Sequence, residues 1–181
     1  MITKTKLDEL AEKYETKEFI KDDPVQFPNR FQGKKDIEIA GFIASMFAYG
    51  NRKVFIKKLN SLFDIMQNKP LDYVLNFDEK ELAGFNYRFA KDFDIIEIFR
   101  IMQKLYSHDG GLCELFEYGY NQDKTIHKMF QTVADYFYAN QTHDVGQGFY
   151  FMLPNPSKGG AMKRMNMYLR WMVRKPPVDL G

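Results

Sequence analysis

Residues 37–49 read IEIAGFIASMFAY, a run whose apolar side chains cover almost every side of an α-helix. A helix that is hydrophobic all round lies inside a protein and is covered by other elements. Asp36 stands where a side-chain cap would begin this helix, and Gly50-Asn51 would close it. We therefore predict a buried central helix over residues 37–49, around which the rest of the chain packs.

Apolar residues recur at helical spacing on both sides of this central stretch. The predicted helical segments are 5–20, 55–66, 70–76, 94–106, 112–119 and 126–137, the last capped by Asp123 or Thr125. No segment alternates with the period of two that a half-buried strand requires. The pattern predicts an all-α fold of seven to nine helices, either one compact helical domain or two helical lobes beside a cleft.

Composition excludes several classes of protein. With 45% hydrophobic and 28% charged residues and a net charge of +2, the chain is globular but not a polycation, so electrostatic binding must depend on local patches. A lone cysteine, Cys113, excludes an internal disulfide and a cysteine-ligated cluster. The three histidines lack metal-ligand spacing, so we expect no metal site. No stretch is apolar enough for a signal peptide or a bilayer span, and we expect a cytoplasmic protein.

Residues 154–176, PNPSKGGAMKRMNMYLRWMVRKP, concentrate positive charge near the C-terminal end. The segment has six basic residues and no carboxylate: Lys158, Lys163, Arg164, Arg170, Arg174 and Lys175. At about 100° per residue, Asn166, Arg170 and Arg174 lie within about 60° of Lys163, opposite an apolar arc. Trp171, at the edge of that arc, is predicted to pack in the core.

The glycines that precede this helix affect which ligand the helix can bind. Gly159 and Gly160 allow backbone N–H groups to approach an anion, and a helix N-terminus adds a partial positive charge. A cationic helix face entered through such a turn fits a phosphate backbone. Nucleic acid is therefore the first partner that the sequence predicts; an ordinary helix-preceding turn is the alternative interpretation.

Two sets of motifs carry a resemblance to known families. GGAMKRMN, residues 159–166, resembles the hairpin and second helix of the helix-hairpin-helix DNA glycosylase superfamily. DIEIAGFIASMFAYGNR, KRMNMYLRWMVR and VDLG together resemble an uncharacterised bacterial family, a domain of unknown function distantly related to those glycosylases. The second resemblance covers almost the whole chain and implies a helix-hairpin-helix glycosylase-like fold that binds double-stranded DNA.

The glycosylase resemblance implies two catalytic residues. Lys163 matches the lysine that forms a Schiff base with the sugar after base flipping, its pKa lowered by neighbouring cations. Asp179 is the only carboxylate after it and matches the aspartate that stabilises the developing positive charge, although the histidine that usually follows is absent. The alternatives are that Lys163 is one phosphate-contacting cation among several and that Asp179 is a cap or turn residue.

The same resemblance implies a set of DNA-contacting residues. The hairpin glycines would approach phosphate, with a monovalent cation bound at the hairpin, although the superfamily's second hairpin glycine falls at Ala161 here. The turn after the central helix, AYGNR, would offer Tyr49, Asn51 or Arg52 as a wedge in the gap left by a flipped base, unless Asn51 simply caps the next helix. The residues expected to contact DNA are Lys158, Gly159, Gly160, Arg164, Asn166, Arg170, Arg174, Asn51 and Arg52.

Three functions remain open on the sequence. The first is a base-excision DNA glycosylase or glycosylase/lyase, and the second is a non-catalytic nucleic-acid-binding module on the same scaffold. The third is a basic face that binds an acidic protein or RNA. The chain ends in VDLG directly after a Pro-Pro turn, which we interpret as a C-terminal truncation of the family domain.

Overall fold

A computed structural model describes residues 3–175 and 178–180, and this part of the chain contains ten α-helices and four short 3-10 helices. The α-helices are α1 (Lys4–Tyr14), α2 (Lys17–Ile20), α3 (Lys34–Phe47), α4 (Arg52–Ile65), α5 (Pro70–Leu75), α6 (Asp92–His108), α7 (Leu112–Asp123), α8 (Ile126–Ala139), α9 (Gln147–Met152) and α10 (Lys163–Val173). The 3-10 helices are Pro24–Gln26, Pro28–Arg30, Glu79–Leu82 and Pro156–Lys158. The described residues form no strand, only an isolated bridge between Tyr87 and Ala90, so the all-α prediction is confirmed.

The central helix is confirmed as the core of the fold. Residues 38–47 of α3 are buried without interruption, and α4, α5, α7 and α10 all pack against this helix. Its predicted start is wrong, because α3 begins at Lys34 after Gly33. The Asp36 carboxylate instead accepts a hydrogen bond from the Leu71 amide at 3.0 Å, so it fastens the start of α5 to α3.

Helix α10 packs closely on α3 because Gly41 has no side chain. A Cβ at Gly41 would lie 2.9 Å from Met172 Cε and 3.3 Å from the Tyr168 ring. Tyr168 is buried in the core, with its ring edge-on to Phe42 at 5.6 Å. Trp171 is also buried, which confirms its predicted role in core packing.

The helix count and several helix boundaries differ from the prediction. The predicted helix over 5–20 is divided, because α1 ends at Tyr14 and α2 begins at Lys17. The sequence missed α9, which has only six residues and includes a glycine, so its periodicity is too short to detect. Thr125 caps α8 by accepting from the Lys128 amide at 3.1 Å, as one of the two predicted caps.

Candidate nucleic-acid interface

The basic loop, residues 158–163, forms the entrance to α10. Gly159 has φ +77° and Met162 has φ +48°, so two left-handed residues reverse the chain before the helix starts. Helix α10 has no side-chain N-cap and no acidic residue in its first turn. Because the first amide groups of a helix lack intrahelical acceptors, this helix end offers N–H donors and partial positive charge to an anion.

The basic loop is open to an approaching ligand. Lys158, Gly159, Gly160 and Lys163 are all exposed. A Cβ at Gly159 would meet nothing within 4 Å, so the space above this glycine is free. Among the described residues, neither Lys158 nor Lys163 forms an ion pair. The side-chain charges of Lys158 and Lys163 are therefore unopposed, next to the two glycines that were predicted to approach phosphate.

Asn166 stabilises this entrance instead of extending toward solvent. Its side-chain amide donates to the carbonyls of Met162 at 3.0 Å and Ala161 at 3.3 Å. These bonds tie the last residues of the loop to the first turn of α10. Asn166 is exposed, but its side-chain NH2 group is engaged in these two local hydrogen bonds.

The far end of α10 has a different electrostatic character. Arg170 Nε lies 3.5 Å and Arg174 Nε 3.4 Å from Asp179 Oδ2, and Arg174 also pairs with Glu15. The Asp179 side chain is buried, and its Oδ1 finds no hydrogen-bond donor among the described residues. Part of the positive charge predicted for the helix face is therefore offset by carboxylates.

The two predicted catalytic residues lie at opposite ends of α10. Lys163 is the first residue of the helix, whereas Asp179 contacts Arg170 and Arg174 at its other end. Seven residues separate Lys163 from Arg170, which corresponds to about 10 Å along the helix axis. The structure thus does not bring the lysine and the carboxylate together.

The turn between α3 and α4 contains the residues predicted as a DNA wedge. Asn51 caps α4, since its side-chain oxygen accepts from the Lys53 amide at 3.0 Å and the Val54 amide at 3.4 Å. This confirms the interpretation of Asn51 as a helix cap. Arg52 is exposed at the first position of α4.

Tyr49 and Arg164 join the two predicted DNA-contacting segments into one surface. The Arg164 guanidinium lies 5.1 Å from the centre of the Tyr49 ring and 4.6 Å from that of Phe151. It also donates a hydrogen bond to the Phe151 carbonyl. The α3–α4 turn, the last turn of α9 and the first turn of α10 therefore meet at this guanidinium.

Arg88 and Phe89 complete what we call the aromatic–arginine cluster: Tyr49, Arg88, Phe89, Phe151 and Arg164. The Tyr49 and Phe89 rings are parallel within 5°, with centroids 6.4 Å apart. Phe151 is steeply inclined to both, 4.8 Å from Tyr49 and 5.2 Å from Phe89. The Arg88 guanidinium lies 5.8 Å from the Tyr49 ring and 5.6 Å from the Phe89 ring. Two guanidinium groups therefore flank three aromatic rings.

A tight turn presents Arg88 and Phe89 to solvent. The amides of Tyr87 and Ala90 donate to each other's carbonyls at 2.8 and 2.9 Å, which leaves Arg88 and Phe89 at the tip. Arg88 has φ +52°, a left-handed conformation that is uncommon for a residue with a side chain. Its guanidinium rests on Gly50, where a Cβ would lie only 2.7 Å from Arg88 Nη1. This turn is thus fixed against the end of α3.

Hydrogen bonds between tyrosines hold the base of the cluster. The Tyr49 hydroxyl donates to the Tyr87 carbonyl at 3.1 Å, and the Tyr87 hydroxyl donates to the Tyr49 carbonyl. Burial raises the pKa of Tyr49 to about 12, so its hydroxyl stays protonated as a donor at neutral pH. Burial also lowers the pKa of Arg164, although an arginine remains charged at neutral pH. The chemistry that the cluster offers is therefore stacking and positive charge.

Gly148 sets the distance between α9 and the exposed turn. A Cβ on this residue would lie 2.4 Å from Ala90 Cα and 2.7 Å from the Phe89 carbonyl oxygen. Only glycine permits this approach, which places Phe151 beside Phe89. The buried Asp94 carboxylate accepts from the Gly146 amide at 2.6 Å and holds the chain entering α9.

Sequence analysis missed Arg88, Phe89 and Phe151 as members of this site. Arg88 and Phe89 lie between the predicted helices over 70–76 and 94–106, and α9 was not predicted. An arginine next to a phenylalanine in a turn was the available signal, since a phenylalanine in a turn has few ways to become buried. Nothing in the sequence pairs that turn with Phe151.

A cavity of about 310 Å³ lies beside Arg100 and His143. The Arg100 guanidinium is already engaged, because it pairs with the buried Glu97 at 3.0 Å and with Glu79. Glu97 also accepts from the Thr142 hydroxyl at 3.0 Å, so it fastens the loop between α8 and α9. We interpret this group of residues as structural.

Two further searches of the described residues constrain the function. Across 3–175 and 178–180, no three His, Cys, Asp or Glu side chains are arranged to hold a metal ion. In the same part of the chain, no helix combines the length and the apolar character needed to cross a bilayer.

The fold and this surface define an all-helical protein with an exposed patch of cations and aromatic rings. The chain belongs to the family described as "Protein of unknown function (DUF2400)", which matches residues 23–181. No curated protein and no solved structure matches the chain.

Proposed function

We propose that this protein binds double-stranded DNA through the basic loop and the start of α10, on a scaffold like that of the helix-hairpin-helix DNA glycosylases. The observation that carries the proposal is the convergence of two segments that are far apart in the chain. Tyr49, after the central helix, and Arg164, after the basic loop, are both half-buried, and the Arg164 guanidinium lies 5.1 Å from the centre of the Tyr49 ring. Lys163, which precedes Arg164 in the chain, is exposed and adds positive charge.

Phosphate binding follows from the local geometry of the basic loop. Lys158 and Lys163 supply charge, Gly159 leaves open space, and the uncapped helix start supplies N–H donors. Each lysine that neutralises a phosphate releases condensed counterions, which makes affinity depend steeply on salt. The interaction requires no base-specific contact from these residues.

The positions of the charged groups favour binding without base excision. Asp179 is held at the far end of α10 by Arg170 and Arg174, about 10 Å along the axis from the level of Lys163. Arg164, expected to help lower the pKa of Lys163, is directed into the aromatic–arginine cluster. We therefore place the protein among DNA-binding modules that keep the glycosylase scaffold.

The test of DNA binding is the salt dependence of affinity for a short duplex. We expect Lys158→Ala/Lys163→Ala to lower the slope of log Kd against log salt by about 1.8, since each phosphate contact contributes about 0.9. Lys69→Ala/Lys80→Ala removes the same charge from exposed positions elsewhere and is expected to leave the slope unchanged. Equal slopes for both double variants would contradict the proposal, and equal binding of heparin by the wild type would indicate a general polyanion site.

Borohydride trapping separates binding from excision. We expect no adduct that depends on Lys163 when the protein is incubated with duplexes carrying uracil or 8-oxoguanine. A trapped adduct that disappears in Lys163→Ala would instead establish Lys163 as a Schiff-base nucleophile and the protein as a glycosylase/lyase.

A further inference from the structure

We infer that the aromatic–arginine cluster is a stacking site for an unpaired nucleobase, so the protein prefers DNA with an extrahelical or unpaired nucleotide over a fully paired duplex. This inference rests on the proposed DNA binding. It assigns the unpaired base to the aromatic–arginine cluster and leaves the phosphates to the basic loop. Its core is the pair of exposed rings, Phe89 at 57% and Phe151 at 40% exposure.

The exposure of these adjacent rings indicates a surface that binds another molecule. Phe89 and Phe151 lie 5.2 Å apart, and the parallel Tyr49 ring forms the wall behind them. The protein holds Phe89 in place through the strained Arg88 turn and Phe151 through the close approach at Gly148. Strained backbone persists where the surrounding structure enforces it, and such positions are concentrated at functional sites.

The charge of the cluster decides between possible occupants. Arg88 and Arg164 lie within 6 Å of the rings, and the exposed Lys163 directly precedes Arg164 in the chain. A cationic ligand would be repelled by the two guanidinium groups. A nucleotide matches both the exposed rings and the positive charge of the cluster. Its base stacks on an aromatic or guanidinium plane, and its phosphate pairs with a cation.

A fully paired duplex cannot use the cluster in this way. Its bases are already stacked on each other, so they present only their edges in the grooves. An unpaired nucleotide can turn out of the helix at small cost, and the adjacent backbone would still reach the basic loop. The two parts of the surface therefore divide the substrate between them, with phosphates on the loop and the base on the rings.

The experiment compares two duplexes that differ only by one unpaired 2-aminopurine nucleotide in the middle of one strand. Anisotropy gives Kd for each duplex, and quenching of 2-aminopurine fluorescence reports stacking. We expect the wild type to bind the duplex with the unpaired nucleotide about 5- to 150-fold more tightly, the range for one base stacked on aromatic side chains.

Two double variants at the same positions distinguish the loss of stacking from a loss of folding. Phe89→Ala/Phe151→Ala removes the rings, whereas Phe89→Leu/Phe151→Leu keeps apolar bulk without a flat face. Both are expected to abolish the preference and the quenching while retaining the affinity for the paired duplex. Tyr118→Ala, which removes another exposed ring at 66% exposure on α7, is expected to keep both.

The outcomes separate this inference from the proposed function. Salt-dependent binding of both duplexes with equal affinity would overturn the stacking site and leave DNA binding intact. A preference that survives in the leucine variant would also overturn it, because apolar contact would then suffice. Absence of salt-dependent binding to either duplex would overturn both proposals.

Discussion

Replacing Gly148 with alanine tests the packing that positions the aromatic–arginine cluster. The added Cβ would lie 2.4 Å from Ala90 Cα and 2.4 Å from Asp94 Oδ2, whereas ordinary contacts begin at 3.4 Å. One obstacle is backbone and the other is a buried carboxylate held by two amides. Neither can rotate away, so α9 must move relative to the Tyr87–Ala90 turn.

The expected loss of stability is about 2 kcal/mol. Overpacking a closely packed site costs about 1–3 kcal/mol, and the contact with backbone places this site near the upper end. The higher helix propensity of alanine offsets at most about 1 kcal/mol of this loss in the free energy of unfolding. For a protein of this size, each kcal/mol lowers Tm by about 2–4 °C, so we expect a decrease of about 4–8 °C.

Thermal unfolding followed by circular dichroism measures this effect, with Gly160→Ala as the matched control. The nearest atom to a Cβ at Gly160 is 3.6 Å away, an ordinary contact, so this variant is expected to stay within about 0.5 kcal/mol of the wild type. Gly148→Ala should also weaken the preference for an unpaired base, because Phe151 moves away from Phe89. Equal Tm values for the two alanine variants would refute the reasoning.

Two further predictions concern buried carboxylates. Burial raises the pKa of the Glu38 carboxyl above its ordinary 4.5, so wild-type stability falls as pH rises from 4.5 through the folded-state pKa. The Tm of the Glu38→Gln variant minus the Tm of the wild type should therefore increase between about pH 4 and about pH 7. A difference that stays constant with pH would contradict the raised pKa of Glu38. Asp179→Asn removes the charge that faces Arg170 and Arg174. Because Glu15 still pairs with Arg174, the slope of log Kd against log salt for duplex DNA should steepen by about 0.9, the contribution of Arg170. An unchanged slope would show that Arg170 does not face the DNA.

Local sequence predicted the elements that depend on local chemistry. The apolar run at 37–49 identified the buried central helix, and Asn51 and Thr125 were recognisable as caps because a side-chain oxygen near a helix start accepts from the next amides. The basic loop was predicted because glycine and charge patterns are visible over a few residues. The interruption between α1 and α2 was missed, although Lys17 and Glu18 occupy the positions where the apolar spacing would continue after Tyr14.

Ion pairing was not predictable from the pattern of α10. The helical wheel placed Arg170 and Arg174 on one cationic face with Lys163, but α10 ends at Val173 and Arg174 has an extended backbone, with φ −84° and ψ 142°. It could not show that Asp179 returns beneath the far end of that face, since the path of the chain after α10 depends on packing. The same path separates Asp179 from Lys163.

By itself, the sequence determined an all-helical protein with a buried central helix, a glycine-containing basic loop and a cationic segment near its C-terminal end. Those properties follow from periodicity and composition, which act over neighbouring residues. Only the tertiary structure decided that Tyr49, Phe89, Phe151 and Arg164 meet on one surface. Their meeting depends on contacts between four separate parts of the chain, above all the close approach that Gly148 permits and the guanidinium of Arg164, and no local pattern encodes such contacts.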